Sequence, residues 1–194
     1  MKKRITLDFW INTLRSGRKF YKTADLMKVS GLSYVACRAT IERLVKRKFL
    51  TRLGKELFGN ALIGFSIEEA ACFAYLPSYL SCEYVLSRHG VIDQMTVVIT
   101  AVNLLRSKKI KIGQTEISYK HLRKNLFWGF VQDGDSFIAE PEKALLDWLY
   151  LAGKTPTHTD EIDWKGIDLV KLKNYASKYP SDVQRRLIIE SAGV

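Results

Sequence analysis

The sequence predicts an α+β chain built in two parts, and three observations point to it. All of the net charge of +11 is carried by the first third: residues 1–60 hold fifteen Lys and Arg against four Asp and Glu, whereas residues 61–194 hold sixteen of each. The basic third reads as helices closed by a short hairpin. The neutral remainder reads as short strands followed by helices, without the βαβ alternation of a parallel sheet. Charge and pattern change together near residue 60. The expected division is therefore a basic unit over 1–60, a linker over 61–78 that can carry its own helix, and a mixed α+β unit over 79–194.

In the basic part, Leu7, Trp10, Ile11 and Leu14 fall at helical spacing, and Ser16-Gly17 ends that helix. Thr23 precedes a short helical stretch, Ala24–Ser30, with Leu26 and Val29 as its apolar contacts. Gly31 supplies a turn, and Ser33 is a good N-cap for a longer helix reaching about Lys46. Two helices joined by a short glycine-containing turn form the helix-turn-helix pattern. Phe49–Leu53 and Glu56–Gly59 then flank Gly54-Lys55 as a β-hairpin, so this part reads as a winged helix-turn-helix. Projected at about 100° per residue, the second helix gathers Tyr34, Cys37, Ile41, Leu44 and Val45 on one side, expected to pack on Trp10, Leu14 and Leu26. The other side carries Ala36, Ala39, Thr40, Arg43, Lys46 and Arg47, with Arg38 and Glu42 on its flanks.

A basic block of this size attracts polyanions, of which DNA is the commonest in a cell. Small residues in the first turns of the second helix let its backbone approach base edges. Arg43 can fork onto guanine, Thr40 can contact a base or a phosphate, and Lys46 and Arg47 can hold phosphates. On the hairpin, Arg52 and Lys55 can reach an adjacent backbone or the minor groove. With Ser33 at the helix start and Arg38 beside it, these are the candidate DNA-binding residues. The same residues also fit a plain solvated face, or a winged helix used for protein docking.

In the neutral part, Ser81–Ser87 reads as a helix ended by His89-Gly90, and Met95–Thr100 as a β-branched strand buried on both faces. Lys109–Gly113, Thr115–Tyr119, Leu126–Val131 and Ser136–Ala139 read as further strands, with Asp133-Gly134 a hairpin turn between the last two. Pro141 opens a helix over Glu142–Leu151 at the position where proline is best tolerated, with Leu145, Leu146, Leu149 and Tyr150 as its buried face. Amphipathic helices follow at about Asp168–Ser177 and Asp182–Ser191.

At 47% hydrophobic and 26% charged, the composition is globular. Apolar runs such as Ala70–Leu76 are too short to span a bilayer. Lys2, Lys3 and Arg4 resemble the start of an export signal, but Asp8, Asn12 and Arg15 interrupt its apolar core, so a cytoplasmic protein without membrane association is expected. Cys37, Cys72 and Cys82, odd in number and without CxxC spacing, read as buried thiols in a reducing compartment. Catalysis is not expected, and neither is a cofactor or a metal. His89, His121 and His158 lack ligand spacing, and no phosphate loop, GxSxG or HExxH occurs. The acidic cluster Asp133, Asp135, Glu140 and Glu142 beside Lys143 defines the enzyme alternative, a Mg²⁺-dependent activity on nucleic acid. Against it, Asp133 suits the turn and Glu140 and Glu142 suit the positive end of a helix. The Glu-Lys adjacency also lacks the Glu-x-Lys spacing of the common nuclease fold. A non-specific RNA binder would want exposed stacking aromatics that the sequence does not display.

Tyr79-Leu80-Ser81, His89-Gly90-Val91-Ile92 and the run Ala139-Glu140-Pro141-Glu142-Lys143-Ala144-Leu145-Leu146-Asp147-Trp148-Leu149-Tyr150 carry a resemblance. Together with the order of the two parts, they make the chain similar to the AbiEi antitoxins, the DNA-binding half of bacterial type IV toxin–antitoxin pairs. The resemblance covers most of residues 1–190. It implies a winged helix that binds inverted repeats upstream of its own operon and represses it. It also implies a second domain that counters a nucleotidyltransferase toxin of the AbiEii type without catalysing anything. Members also occur as stand-alone regulators. The family's hairpin often ends in Arg-Gly-(Val/Leu)-Tyr; here Lys55-Glu56-Leu57-Phe58 stands there, with Glu56 in place of glycine. The helix Glu142–Tyr150 reads as core, and no functional site is carried onto it.

Overall fold

The computed structural model describes residues 5–94, 96–153 and 162–191. Lys2, Lys3, Arg4, Met95, His158, Asp160 and Glu161 lie outside these. The fold is mixed α+β. The chain divides into two compact units, residues 1–70 with 111–114, and residues 71–110 with 115–194.

The first unit runs α1 (Leu7–Arg15), β1 (Phe20–Lys22), α2 (Thr23–Ser30), α3 (Tyr34–Lys46), β2 (Leu50–Arg52) and β3 (Leu57–Asn60). Thr6 caps α1, its hydroxyl accepting from Phe9 N at 3.3 Å. Gly31 closes α2 at φ 69°, a left-handed conformation in which a side chain is strained. The strands form an antiparallel sheet in the order β1-β3-β2, with Tyr21 opposite Phe58 and Thr51 opposite Gly59. Trp10, Leu14, Tyr21, Leu26, Cys37, Ile41, Leu44, Leu50 and Phe58 make up the core. Asn60 is buried within it. Its Nδ2 donates to Leu14 O at 2.7 Å and Arg18 O at 3.0 Å, and its Oδ1 accepts from Leu62 N at 3.2 Å, which ties β3 to the end of α1.

Three expectations for this unit need correction, the first being Val29, which stands 46% exposed on α2 and leaves Leu26 as that helix's buried apolar contact. β1 is an additional strand, three residues long with Phe20 and Tyr21 both buried, so it carries no alternation for sequence reading to detect. Tyr34 does not join the core: it is 46% exposed, and its hydroxyl donates to Glu56 Oε1 at 3.2 Å. A first-turn residue extends past the end of the packed face, where a wheel projection still counts it as inward.

The expected linker contains α4 (Ile67–Ala74), and Ser78 already belongs to a strand, β4 (Ser78–Leu80). The second unit continues with α5 (Cys82–Arg88), β5 (Ile99–Asn103), β6 (Lys108–Ile112), β7 (Thr115–His121), β8 (Phe130–Asp133), β9 (Ser136–Ala139), α6 (Pro141–Ala152), α7 (Leu169–Ala176) and α8 (Ser181–Ser191). Sheet order is β6-β7-β5-β4-β9-β8. Pairings β5/β7 and β4/β9 are parallel, and β4/β5 and β8/β9 are antiparallel. α6 packs against α5, α7 and α8.

The strand expected at Met95–Thr100 starts at Ile99 and is buried at all five positions, while Val97 stands 86% exposed ahead of it. Pairing with β7 and β4 fixes that register; a β-branched run alone does not. Leu126–Val131 is likewise not one strand. Lys124–Leu126 forms a 3₁₀ turn, and β8 begins at Phe130. Among the described residues no helix is long and apolar enough to cross a membrane.

Candidate nucleic-acid interface

α3 is set on the first unit's core by Cys37, Ile41 and Leu44, one residue per turn. Its start is fixed by Ser33, whose hydroxyl accepts from Ala36 N at 3.4 Å. The side away from the core exposes Val35, Ala36, Arg38, Ala39, Glu42, Arg43, Lys46 and Arg47. This surface separates into two flanks and a central stripe.

On one flank, Thr40, Arg43 and Arg47 line a cleft of about 140 Å³ with Ile5, Thr6, Leu7, Trp10 and Leu44. Thr40 is only half-buried. Its hydroxyl donates to Ala36 O at 2.9 Å and accepts from Arg43 Nη2 at 3.0 Å. Arg43 Nε also donates to Ala39 O at 3.3 Å, so the guanidinium lies back along its own helix with Nη1 uncommitted. Trp10 Nε1, which belongs to a cleft residue, is buried without a hydrogen-bond partner among the described residues.

On the other flank the β2–β3 hairpin is pinned to α3. Arg52 forms an ion pair with Glu42 and sits over the Phe58 ring, 5.1 Å from its centroid. Glu56 accepts from the Tyr34 hydroxyl, and its carbonyl accepts from Thr23 N at 3.2 Å. The residue standing in place of glycine thus joins the hairpin to the starts of α2 and α3. Arg38 lies over the Tyr34 ring at 5.8 Å, and Lys55 is exposed in the turn. Among the described residues Arg38, Arg43, Lys46, Arg47 and Lys55 enter no salt bridge, whereas Arg52 does.

The central stripe holds a residue the sequence reading passed over. Val35, in the first turn of α3, is 78% exposed between the alanines and Arg38. The signal was present in the sequence: a β-branched aliphatic on the polar side of an amphipathic helix.

The second unit gathers the residues of its Ala139–Tyr150 run very differently. Besides Leu145, Leu146 and Leu149, α6 buries Glu142, Lys143, Ala144 and Asp147, while Tyr150 is only partly buried. Lys143 and Asp147 are both 0% exposed and form an ion pair one helical turn apart. The Lys143 ammonium also donates to Tyr79 Oη at 2.8 Å and Tyr179 Oη at 2.7 Å, using its three donors. Asp147 accepts in addition from Tyr79 (2.9 Å), Ser81 (2.8 Å) and Tyr179 (2.7 Å). Burial, then the Asp147 charge, pushes Tyr79 and Tyr179 far above the usual phenol range. Burial also lowers Lys143, partly offset by Asp147. With Lys143 as ammonium and Asp147 as carboxylate, every donor and acceptor of the cluster has a partner.

The carboxylates of the enzyme alternative are spread among separate partners. Asp133 pairs with Arg88 at 3.0 Å, and Glu140 accepts from Lys171 and from the Tyr175 hydroxyl, both at 2.6 Å. Burial raises the Glu140 carboxyl, but these two hydrogen bonds outweigh it and hold it below its ordinary value. Glu142 accepts from Asp168 N at 2.9 Å. Among the described residues no three His, Cys, Asp or Glu side chains group as metal ligands. No protein-family model and no curated protein matches the chain.

Proposed function

We propose that the first unit is a winged helix-turn-helix that binds double-stranded DNA sequence-specifically, and that the chain is a transcriptional repressor acting at its own operon. One observation carries this reading. Five cations, Arg38, Arg43, Lys46, Arg47 and Lys55, stand without acidic partners on one exposed helix face and the adjoining hairpin turn, within a unit that is strongly basic overall. Charges serving the fold are usually paired or spread; uncommitted charges on one face meet a polyanion. In this reading α3 enters the major groove with Arg43 placed to fork onto a guanine, Lys46 and Arg47 grip phosphates beside it, and the β2–β3 hairpin is the wing.

The resemblance of Tyr79–Ser81, His89–Ile92 and Ala139–Tyr150 to AbiEi antitoxins extends the proposal. The second unit is then the part that counters a nucleotidyltransferase toxin, with no catalysis of its own. A stand-alone regulator shares the DNA-binding half and lacks only the toxin, so rescue of growth on co-expression with a neighbouring nucleotidyltransferase separates the two.

The test is binding to labelled duplex from upstream of the chain's own gene, against a scrambled duplex, across a salt series. Specific affinity is expected to exceed non-specific by roughly 10³ or more, with a log–log salt slope near −0.9 per phosphate contacted. Equal, weak binding to both duplexes would overturn the reading and leave a basic docking module.

A further inference from the structure

We infer that Val35 is a specificity-determining residue that reads the 5-methyl group of a thymine in the major groove; this rests on the proposed DNA-binding reading of α3. Val35 is 78% exposed in the first turn of a helix whose inward face is already complete with Cys37, Ile41 and Leu44. Nothing in the fold accounts for it there. A β-branched side chain is a poor helix former, and an exposed aliphatic group gains no burial. Its surroundings on the exposed side are Ala36 and Ala39, too small to shield it, and Arg38 and Glu42, which are polar.

The thymine methyl is the apolar group that a base edge offers in the major groove, and aliphatic side chains are its natural contact. The neighbours fit the same task. Ala36 and Ala39 let the helix backbone come close, and Arg38 stands one turn from Val35 on the same side, where a guanidinium can take the acceptor edge of a neighbouring guanine. Among the described residues, the most exposed large aliphatic side chain of the first unit thus sits on the face where Arg38 and Arg43 stand without a salt bridge.

The experiment begins with selection of bound duplexes from a random-sequence pool by the full chain. Each thymine of the selected site is then replaced singly by deoxyuridine, which removes only the methyl group. Binding of wild type and of Val35→Ser is measured on every duplex, with circular dichroism confirming that the exposed substitution leaves the fold intact. One thymine is expected whose demethylation weakens wild-type binding about fourfold, the worth of one buried methyl, and leaves Val35→Ser unchanged. If a sequence is selected but every demethylation affects both proteins equally, Val35 does not read thymine and the inference falls while the DNA-binding reading stands. If no sequence is selected, that reading fails and this inference with it.

Discussion

Both units bring lysine or arginine next to carboxylate, but they use the pair in opposite ways. In the first unit Arg52 meets Glu42 at the surface, with side chains 39% and 56% exposed, and among the described residues Arg38, Arg43, Lys46, Arg47 and Lys55 around it enter no salt bridge. In the second unit Lys143 meets Asp147 with both side chains at 0%, inside a cage of Tyr79, Ser81, Tyr179 and the rings of Trp128 and the two tyrosines. An exposed pair contributes about 0–1 kcal/mol and leaves its charges available to a partner. A buried pair is locked by its own desolvation: each member is tolerable only while the other is present. The Arg52–Glu42 charges are therefore open to solvent, and the Lys143–Asp147 charges serve the fold.

The largest effect should come from breaking the buried pair. Asp147→Leu leaves the Lys143 ammonium buried without a counter-charge and should destabilise the second unit by about 3–5 kcal/mol, measured by urea unfolding. The double variant Lys143→Met with Asp147→Leu should lose clearly less, because no orphan charge remains. Equal losses in single and double variants would mean that the tyrosine and serine bonds, and not the charges, hold the cluster.

Alkaline pH tests the same cluster without mutation. Tyr79 and Tyr179 keep their protons in the folded chain far above the phenol's usual value, so their contribution is complete below about pH 10 and is lost as the unfolded chain ionises above it. Tyr119, pushed by burial above its usual value, adds to this loss. Lys143 works in the opposite direction. Its lowered value penalises the folded state below about pH 10.5, and that penalty fades as the pH rises through the lysine range. Cys37 and Cys82, both raised by burial, begin the loss at about pH 9, and Lys171 and Tyr175, raised by their hydrogen bonds to Glu140, add to it, so only Lys143 opposes a net fall seen as urea midpoints that decrease with pH. Tyr179→Phe should make that fall shallower by about one proton.

A smaller loss is expected in the first unit. Asn60→Ala removes the donors to the carbonyls of Leu14 and Arg18 and should cost about 1–3 kcal/mol, again read from urea unfolding.

Sequence reading reached these two environments unequally. α3, its Ser33 cap, the Gly31 turn and the hairpin were legible because each is local: a cap, a left-handed glycine and a periodicity lie within a few residues of one another. The Lys143–Asp147 spacing was legible as a helical pair, but its burial was not. Tyr79 on β4 and Ser81 at the start of α5 lie more than 60 residues earlier, and Tyr179 lies 32 residues after Asp147, so only the tertiary fold brings them together. Most of the candidate DNA-binding residues were legible by charge, and Ser33 and Thr40 by their place on α3. Selecting by charge passes over Val35, which carries none, and does not show the pairing of Arg52, whose partner Glu42 lies 10 residues earlier on α3. Tyr34 and Glu56 show the same limit, being brought together by how the hairpin docks.

The finest test of the comparison leaves stability alone. Lys46→Ala and Glu42→Gln both change one exposed charge on α3, and each should shift stability by no more than about 0.5 kcal/mol. On DNA they should diverge. If Lys46 holds a phosphate as proposed, Lys46→Ala lowers affinity on every sequence and makes the salt slope shallower by about 0.9. Glu42→Gln removes a negative charge from the face and releases Arg52 from its ion pair. The freed guanidinium can take a phosphate, so affinity should rise and the slope steepen by about 0.9. Weaker binding by Glu42→Gln at a single base position would give the carboxylate a different role, accepting from a cytosine amino group. Measuring slope and sequence preference together distinguishes the two, because a phosphate contact moves the slope on all duplexes and a base contact moves the affinity on one.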